Sequence, residues 1–217
     1  MKRENLITAT ENRRVYLIRH GLCEPSGVLL GQFDAPLSAE GEKQVEALAR
    51  QFEDSGIERV LSSSLKRALR TADVIAKHLG VEVATDARLN EISYGTWDGL
   101  RWEEIERSDP ETARRKLEDW WNVTPLGGES VESFYRRVER AWHSLADHPA
   151  GVTAVVAHRG VNAVLLDLAR GLESGLEGSA GNRWRGIATF EQEYGSYELV
   201  HLPGLSRNRN MPVASNV

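Results

Sequence analysis

Val15-Tyr16-Leu17-Ile18-Arg19-His20-Gly21 is the stretch from which the fold is read. Its first four residues are apolar, β-prone and few, the pattern of a buried strand. A cation and an imidazole arrive together where that strand should end. The glycine that follows permits a sharp turn and a close approach of the backbone to a ligand. In open α/β sheets, ligands bind at the carboxyl ends of strands. The plain alternative is an arginine and a histidine in a surface loop, and a second copy of the design decides against it.

That copy is Val152-Thr153-Ala154-Val155-Val156-Ala157, another buried-strand run, which ends in His158-Arg159-Gly160. An apolar helix follows, with Val161, Val164, Leu165 and Leu168. The other four histidines lack this setting. His78 stands near a helix end before Gly80, where a charge–dipole role fits, and His143 and His148 lie on or just after a polar helix face. A third strand, Arg59-Val60-Leu61-Ser62, leads into a helix whose positions 65, 68, 69, 72, 75, 76 and 79 form one apolar stripe. Arg67 falls in its first turn, off the stripe. A helix N-terminus favours anions, so an arginine there implies a shared anion unless it is simply solvated, the reading that suits Arg70. The fourth piece, Leu89-Asn90-Glu91-Ile92-Ser93-Tyr94-Gly95-Thr96-Trp97-Asp98-Gly99, sets Glu91 among apolar residues in a Gly-rich loop.

In this order the pieces resemble the histidine phosphatase superfamily, the group of cofactor-dependent phosphoglycerate mutases and their phosphatase relatives. The matching stretches are Leu17 to Gly21, Gly31-Gln32-Phe33-Asp34-Ala35-Pro36-Leu37-Ser38 with Gly41, Ser62 to Ala72, Leu89 to Gly99, Gly128-Glu129-Ser130 and Ala157 to Gly160. The tripeptide alone is a weak signal and the ordered set a strong one. The resemblance implies that His20 is the nucleophile that becomes phosphohistidine. It implies that Arg19 and Arg67 bind phosphate, that His158 is the second histidine of the phosphate pocket, and that Glu91 donates and accepts the proton. The chain departs from the family where Glu and then Ser or Thr usually follow the first motif: here stand Leu22 and Cys23. Arg159 replaces a common glycine, and Glu24-Pro25-Ser26-Gly27 lacks an asparagine often found there. Cys23, Gly31 and Arg159 are accordingly candidates for touching the substrate, with packing the alternative for Cys23.

These residue types suit phosphoryl transfer, which needs an in-line nucleophile, stabilised equatorial oxygens and a proton for the leaving group. Imidazole, with a reference pKa of about 6.5, is a nucleophile at neutral pH, and neighbouring cations disfavour a further charge on His20. Arginines fork onto phosphate oxygens. A protonated His158 would add a third donor, and so much positive charge replaces a metal ion. Neither a metal nor a cofactor is expected: the chain has no His-Glu-x-x-His, no cysteine pair, no EF-hand spacing and no P-loop.

The expected fold is α/β: a three-layer α/β/α sandwich around a mostly parallel central sheet, phosphoglycerate mutase-like. The 217 residues, 41% of them hydrophobic, read as a flexible N-terminal arm over 1–13, one domain over 14–203 and a flexible tail over 204–217. Within the domain, residues 100–127 form a helical insertion carrying Trp102, Trp120 and Trp121. The resemblance puts it over the active site, where the tryptophans either wall the substrate or pack on the core. A helix from about Ser38 buries Val45, Leu48, Ala49 and Phe52, a short strand lies near 81–85, and an amphipathic helix spans 130–146. Residues 188–193 and 196–200, flanking Tyr194-Gly195, read as a closing hairpin.

The net charge of −5 offers no general attraction for nucleic acid or anionic membrane. No apolar run is long enough to span a bilayer, and the N-terminus shows no signal peptide. The single cysteine excludes an internal disulfide and suits a cytoplasmic protein. The partner expected is a small phosphorylated molecule; a homodimer stays open. The functional reading is a metal-independent phosphomonoesterase with a phosphohistidine intermediate. A phosphoglycerate mutase sharing the first half-reaction is the runner-up, made less fitting by the compact insertion. Arg114-Arg115 resembles the pair with which mutases hold a carboxylate, although the acids around it suggest a solvated face. A binding or regulatory module on the same fold, without activity, is the third reading.

Overall fold

The computed structural model describes residues 13–148, 151–170 and 190–201. Five strands form one sheet: β1 (Arg14–Arg19), β2 (Arg59–Ser62), β3 (Val83–Thr85), β4 (Val152–Ala157) and β5 (Tyr197–His201), in the order β3-β2-β4-β1-β5. All neighbours run parallel except β5, which is antiparallel to β1. Among the described residues, six α-helices pack on the sheet: α1 (Ala39–Arg50), α2 (Lys66–Leu79), α3 (Trp102–Ser108), α4 (Pro110–Glu118), α5 (Val131–Ala146) and α6 (Arg159–Ala169).

The two-residue period of β1 divides the layers. Val15 and Leu17 join the cluster built with α5 and α6, whereas Tyr16 and Ile18 join the one built with α1 and α2. β4 is buried along its whole length, as a parallel strand covered on both faces must be. Ser38 caps α1 by accepting the Gly41 N–H at 3.0 Å, and Ser130 caps α5 by accepting the Ser133 N–H at 3.2 Å. The stripe expected on the third-strand helix is the buried face of α2, apart from the half-buried Leu69 and Leu79.

Strand order places the site. From β1 the chain crosses by α1 toward β2, and from β4 it leaves by α6 for the other edge, so the crevice between the ends of β1 and β4 is a topological switch point. Arg19 pairs in register with Ala157, which makes His20 and His158 neighbours.

The closing hairpin does not form. β5 pairs with β1, and Phe190 to Ser196 is not strand. A chain passing beside an open strand edge satisfies the long-range pairing, which the local pattern of alternating residues does not report. Residues 188–189, the expected tail and the arm except Arg13 lie outside the described residues. Arg13 itself donates to the His148 carbonyl at 2.8 Å. No described helix is long and apolar enough to cross a membrane.

Candidate active site

β1 delivers His20, which is 3% exposed. Its Nδ1 lies 2.8 Å from the Gly21 carbonyl oxygen. A carbonyl only accepts, so Nδ1 carries the proton and Nε2 the lone pair. That lone pair faces Arg67, whose Nε donates to it at 3.2 Å. A Cβ on Gly21 would stand 2.8 Å from both the Gly41 carbonyl and Val45, so the missing side chain lets α1 close behind the histidine.

Arg67 is 1% exposed, at the first turn of α2. Its Nη1 donates to the Phe33 carbonyl at 2.8 Å and its Nη2 to that of Gly31 at 2.7 Å. Gly31 thus acts on the guanidinium through its carbonyl. Its φ of +46° and the Asp98 carboxylate, 1.8 Å from where a Cβ would sit, both require glycine. The anion at the helix start is Asp34, which accepts the Lys66 N–H at 2.7 Å.

His158 follows β4, its ring centroid 5.0 Å from that of His20. Ser63 Oγ donates to Asn90 Oδ1 at 2.8 Å, and the same Asn90 oxygen takes the Ser64 N–H at 3.0 Å. With its proton so committed, Ser63 Oγ accepts from His158 Nε2 at 2.9 Å. His158 therefore carries its proton on Nε2. Its Nδ1 is buried without a hydrogen bond among the described residues, as is Nε of Arg19. Arg19 stacks on Tyr194, 3.6 Å from its ring centroid, and gives Nη1 to the Gln192 carbonyl.

Burial, with Arg67 and Arg19 adding to it, holds the His20 pKa well below 6.5. Burial, then His20, Arg67 and Arg19, do the same for His158. An imidazolium so enclosed among cations is unfavourable without an anion, so a proton on His158 Nδ1 calls for an anion beside it.

Glu91 belongs to the loop before α3. Its Oε2 accepts the Gly160 N–H at 3.2 Å and its Oε1 the Ile92 N–H at 3.1 Å. Arg137 on α5 holds this loop, donating to the carbonyls of Arg88 at 2.8 Å and Asn90 at 2.9 Å while it forks onto Glu129 at 2.9 and 2.7 Å. Gln32 adds a bond to the Glu91 carbonyl at 3.0 Å. Arg137 was not singled out by sequence, where nothing separates it from Arg136. Ser63 and Asn90 were equally silent.

Next to Glu91 opens a small cleft of about 50 Å³, walled by Tyr94, Trp120, Trp121 and Phe134, with Arg159 and Lys116 also in its lining. Of the insertion's tryptophans, 120 and 121 wall the cleft. Trp102 packs on the buried Trp97, 6.0 Å between centroids. Arg159 stands in the lining of the cleft, and its Nη1 also donates to the Phe190 carbonyl at 3.0 Å. Cys23 is 3% exposed, with Sγ 3.5 Å from His20 Nδ1, on the side of the ring away from the lone pair. Burial pushes its thiol up to about 11. It packs behind the His20 ring. Among the described residues, no three His, Cys, Asp or Glu side chains are grouped to hold a metal ion.

The arrangement joins an imidazole lone pair, two arginines, a second imidazole and a carboxylate beside an aromatic cleft. Comparison with known proteins matches residues 15–200 to the histidine phosphatase superfamily (branch 1). Phosphoserine phosphatase 1 of Hydrogenobacter thermophilus is 38% identical over 128 residues, 58% of this chain and 61% of that protein, so the chain spans less than two thirds of that relative. The "Probable phosphoglycerate mutase GpmB" of Salmonella paratyphi A is 30% identical over 150 residues, 68% of this chain and 70% of its own. The solved α-ribazole phosphatase of Shigella flexneri superposes with a TM-score of 0.76 at 26% identity, over 88% of this chain and 96% of that one.

Proposed function

The chain belongs to the histidine phosphatase superfamily, and from that premise we propose that it is a phosphomonoesterase acting on a small phosphorylated metabolite through a phosphohistidine, without a metal ion. The observation that carries this reading is the His20 tautomer: Nδ1 bound to the Gly21 carbonyl leaves Nε2 as a lone pair against Arg67. Phosphate oxygens take over donors of Arg67 and Arg19. They also give His158 Nδ1 a reason to gain a proton, since a dianion beside it reverses the effect of the surrounding cations.

His20 Nε2 attacks phosphorus as the bond to the leaving oxygen breaks. Glu91 gives that oxygen a proton. Water then attacks the phosphohistidine, losing its proton to Glu91, and phosphate leaves with neutral His20 restored. The arginines act on the charge of the equatorial oxygens in a site shielded from water, where such donors are most effective. The likeness to phosphatases acting on unlike substrates supports the class of reaction. The likeness to GpmB supports a mutase as the second reading, in which a bound acceptor replaces water.

Release of phosphate from a panel of monoesters, with 3-phosphoglycerate included for mutase activity, tests this. Activity persists in excess EDTA and disappears in a folded His20→Ala variant. Activity lost on chelation and restored by zinc or magnesium, or a fully active His20→Ala, contradicts the reading.

A further inference from the structure

The segment from Phe190 to Ser196 is not strand, yet it is tied to the end of β1 at several points. Gln192 within it is 5% exposed. Its side-chain amide donates to the Leu17 carbonyl at 2.9 Å and accepts from Asn162 Nδ2 of α6 at 2.9 Å, joining sheet to helix. Its backbone carbonyl takes Nη1 of Arg19. Past the turn at Tyr194 and Gly195, the Gly195 N–H donates to the His20 carbonyl at 3.1 Å, and the Ser196 carbonyl accepts the Arg19 N–H at 2.9 Å. The backbone on both sides of Tyr194 is thus bound to the residues that its ring faces.

The two arginines of the site are held differently. Arg67 makes three side-chain hydrogen bonds, to His20, Phe33 and Gly31, and these fix the plane of its guanidinium. Arg19 makes one side-chain hydrogen bond among the described residues, from Nη1. A single bond leaves a guanidinium free to turn about it. The Tyr194 ring supplies the missing constraint, with its centroid 3.6 Å from Arg19 Cζ. The planar cation lies against the ring face, an attraction that consumes none of its N–H donors. Arg19 Nε is buried with no hydrogen bond among the described residues, so a donor is held in place and unused. The same ring stands 5.5 Å from that of His20, centroid to centroid.

We propose that Tyr194 is a positioning residue for phosphate binding: its ring face sets the plane of the Arg19 guanidinium and presents the unused N–H edge to a phosphate at His20. Gln192 anchors the segment that carries the ring. This rests on the phosphate-binding part given to Arg19 in the reading above. An arginine oriented before the anion arrives loses less freedom on binding it. Tyr194 acts through Arg19 and touches no reacting atom in this role. The aromatic face is what matters; a side chain that only filled space would serve equally well as leucine.

Orthotungstate, a tetrahedral dianion without an ester bond to hydrolyse, is the probe, and calorimetric titration of the full chain reads its affinity. The variants are Tyr194→Phe, Tyr194→Leu, Arg19→Lys and the Arg19→Lys, Tyr194→Leu pair. Arg19→Lys keeps the charge and removes the plane. Tyr194 is half-buried in a turn outside the core clusters, a place that tolerates leucine. Tyr194→Leu weakens tungstate about tenfold, the scale of a desolvated cation–π contact, whereas Tyr194→Phe keeps the face and stays within about threefold of the wild type. In the Arg19→Lys background, Tyr194→Leu costs less than about threefold, because no plane is left to orient. An unchanged affinity in Tyr194→Leu, an equal loss in both backgrounds, or no tungstate binding by the wild type overturns the proposal. If the tungstate affinities come out as expected while no monoester is hydrolysed, the phosphomonoesterase reading fails and the positioning role stands.

Discussion

His20 and His158 sit where burial that fixes their geometry also fixes their charge. Both folded pKa values lie well below 6.5, by burial first and by the neighbouring cations next. In the unfolded chain each takes a proton near 6.5. Below that pH the unfolded state binds protons that the folded state refuses. Their contribution is therefore intact above about 6.5 and declines as pH falls toward the folded values, by up to about 1.4 kcal/mol per pH unit for each residue. Urea unfolding between pH 7.5 and 5.5 measures it, with His158→Gln as the control. The expected slope of stability against pH is smaller in the variant, because one group no longer titrates. Equal slopes would mean that His158 is protonated in the folded free enzyme.

At the scale of elements, the Glu91 loop depends on α5. Arg137 satisfies carbonyls of the loop and pairs with Glu129, both side chains only about one-sixth exposed. Replacing Arg137 by Met strands those acceptors and one carboxylate, a loss of about 2–3 kcal/mol in stability. It also frees Glu91 to wander from the leaving oxygen. General-acid help is typically about 10²–10⁴-fold and matters most for a poor leaving group. Glu91→Gln therefore loses far more rate on an alkyl phosphate than on a nitrophenyl phosphate when phosphorylation of His20 limits turnover. Arg137→Met shows the same bias at about a tenth of the size, with rate recovered in no other way than by restoring the loop. Equal losses on both esters would assign Arg137 to stability alone and remove Glu91 as the donor to the leaving group.

Across the whole molecule, legibility followed the range of the interaction. The strands ending in His20 and His158 announced themselves because a buried strand is a local apolar run and a charged residue at its end breaks the pattern. Arg67 was legible for a related reason: a cation at a helix start contradicts the dipole. The Ser63–Asn90 chain that sets the His158 tautomer was not, since its members are 27 residues apart and chemically ordinary. Lys116 was hidden by its neighbours, because in a polar helix the spacing from Ala113 is masked by charge. The pairing of β5 with β1 was lost to the competing local hairpin pattern, for strand partners are chosen by tertiary contact.

All of this converges on one nitrogen, and the phosphoenzyme reports on it. Rapid quenching of the enzyme with a ³²P-labelled monoester, followed by acid or alkali treatment, separates the possible linkages. A phosphoramidate on His20 survives base and is lost in acid, and the label is absent from His20→Ala. Label that survives acid and is lost in base would be an acyl phosphate on a carboxylate, and would take the nucleophile's role from His20.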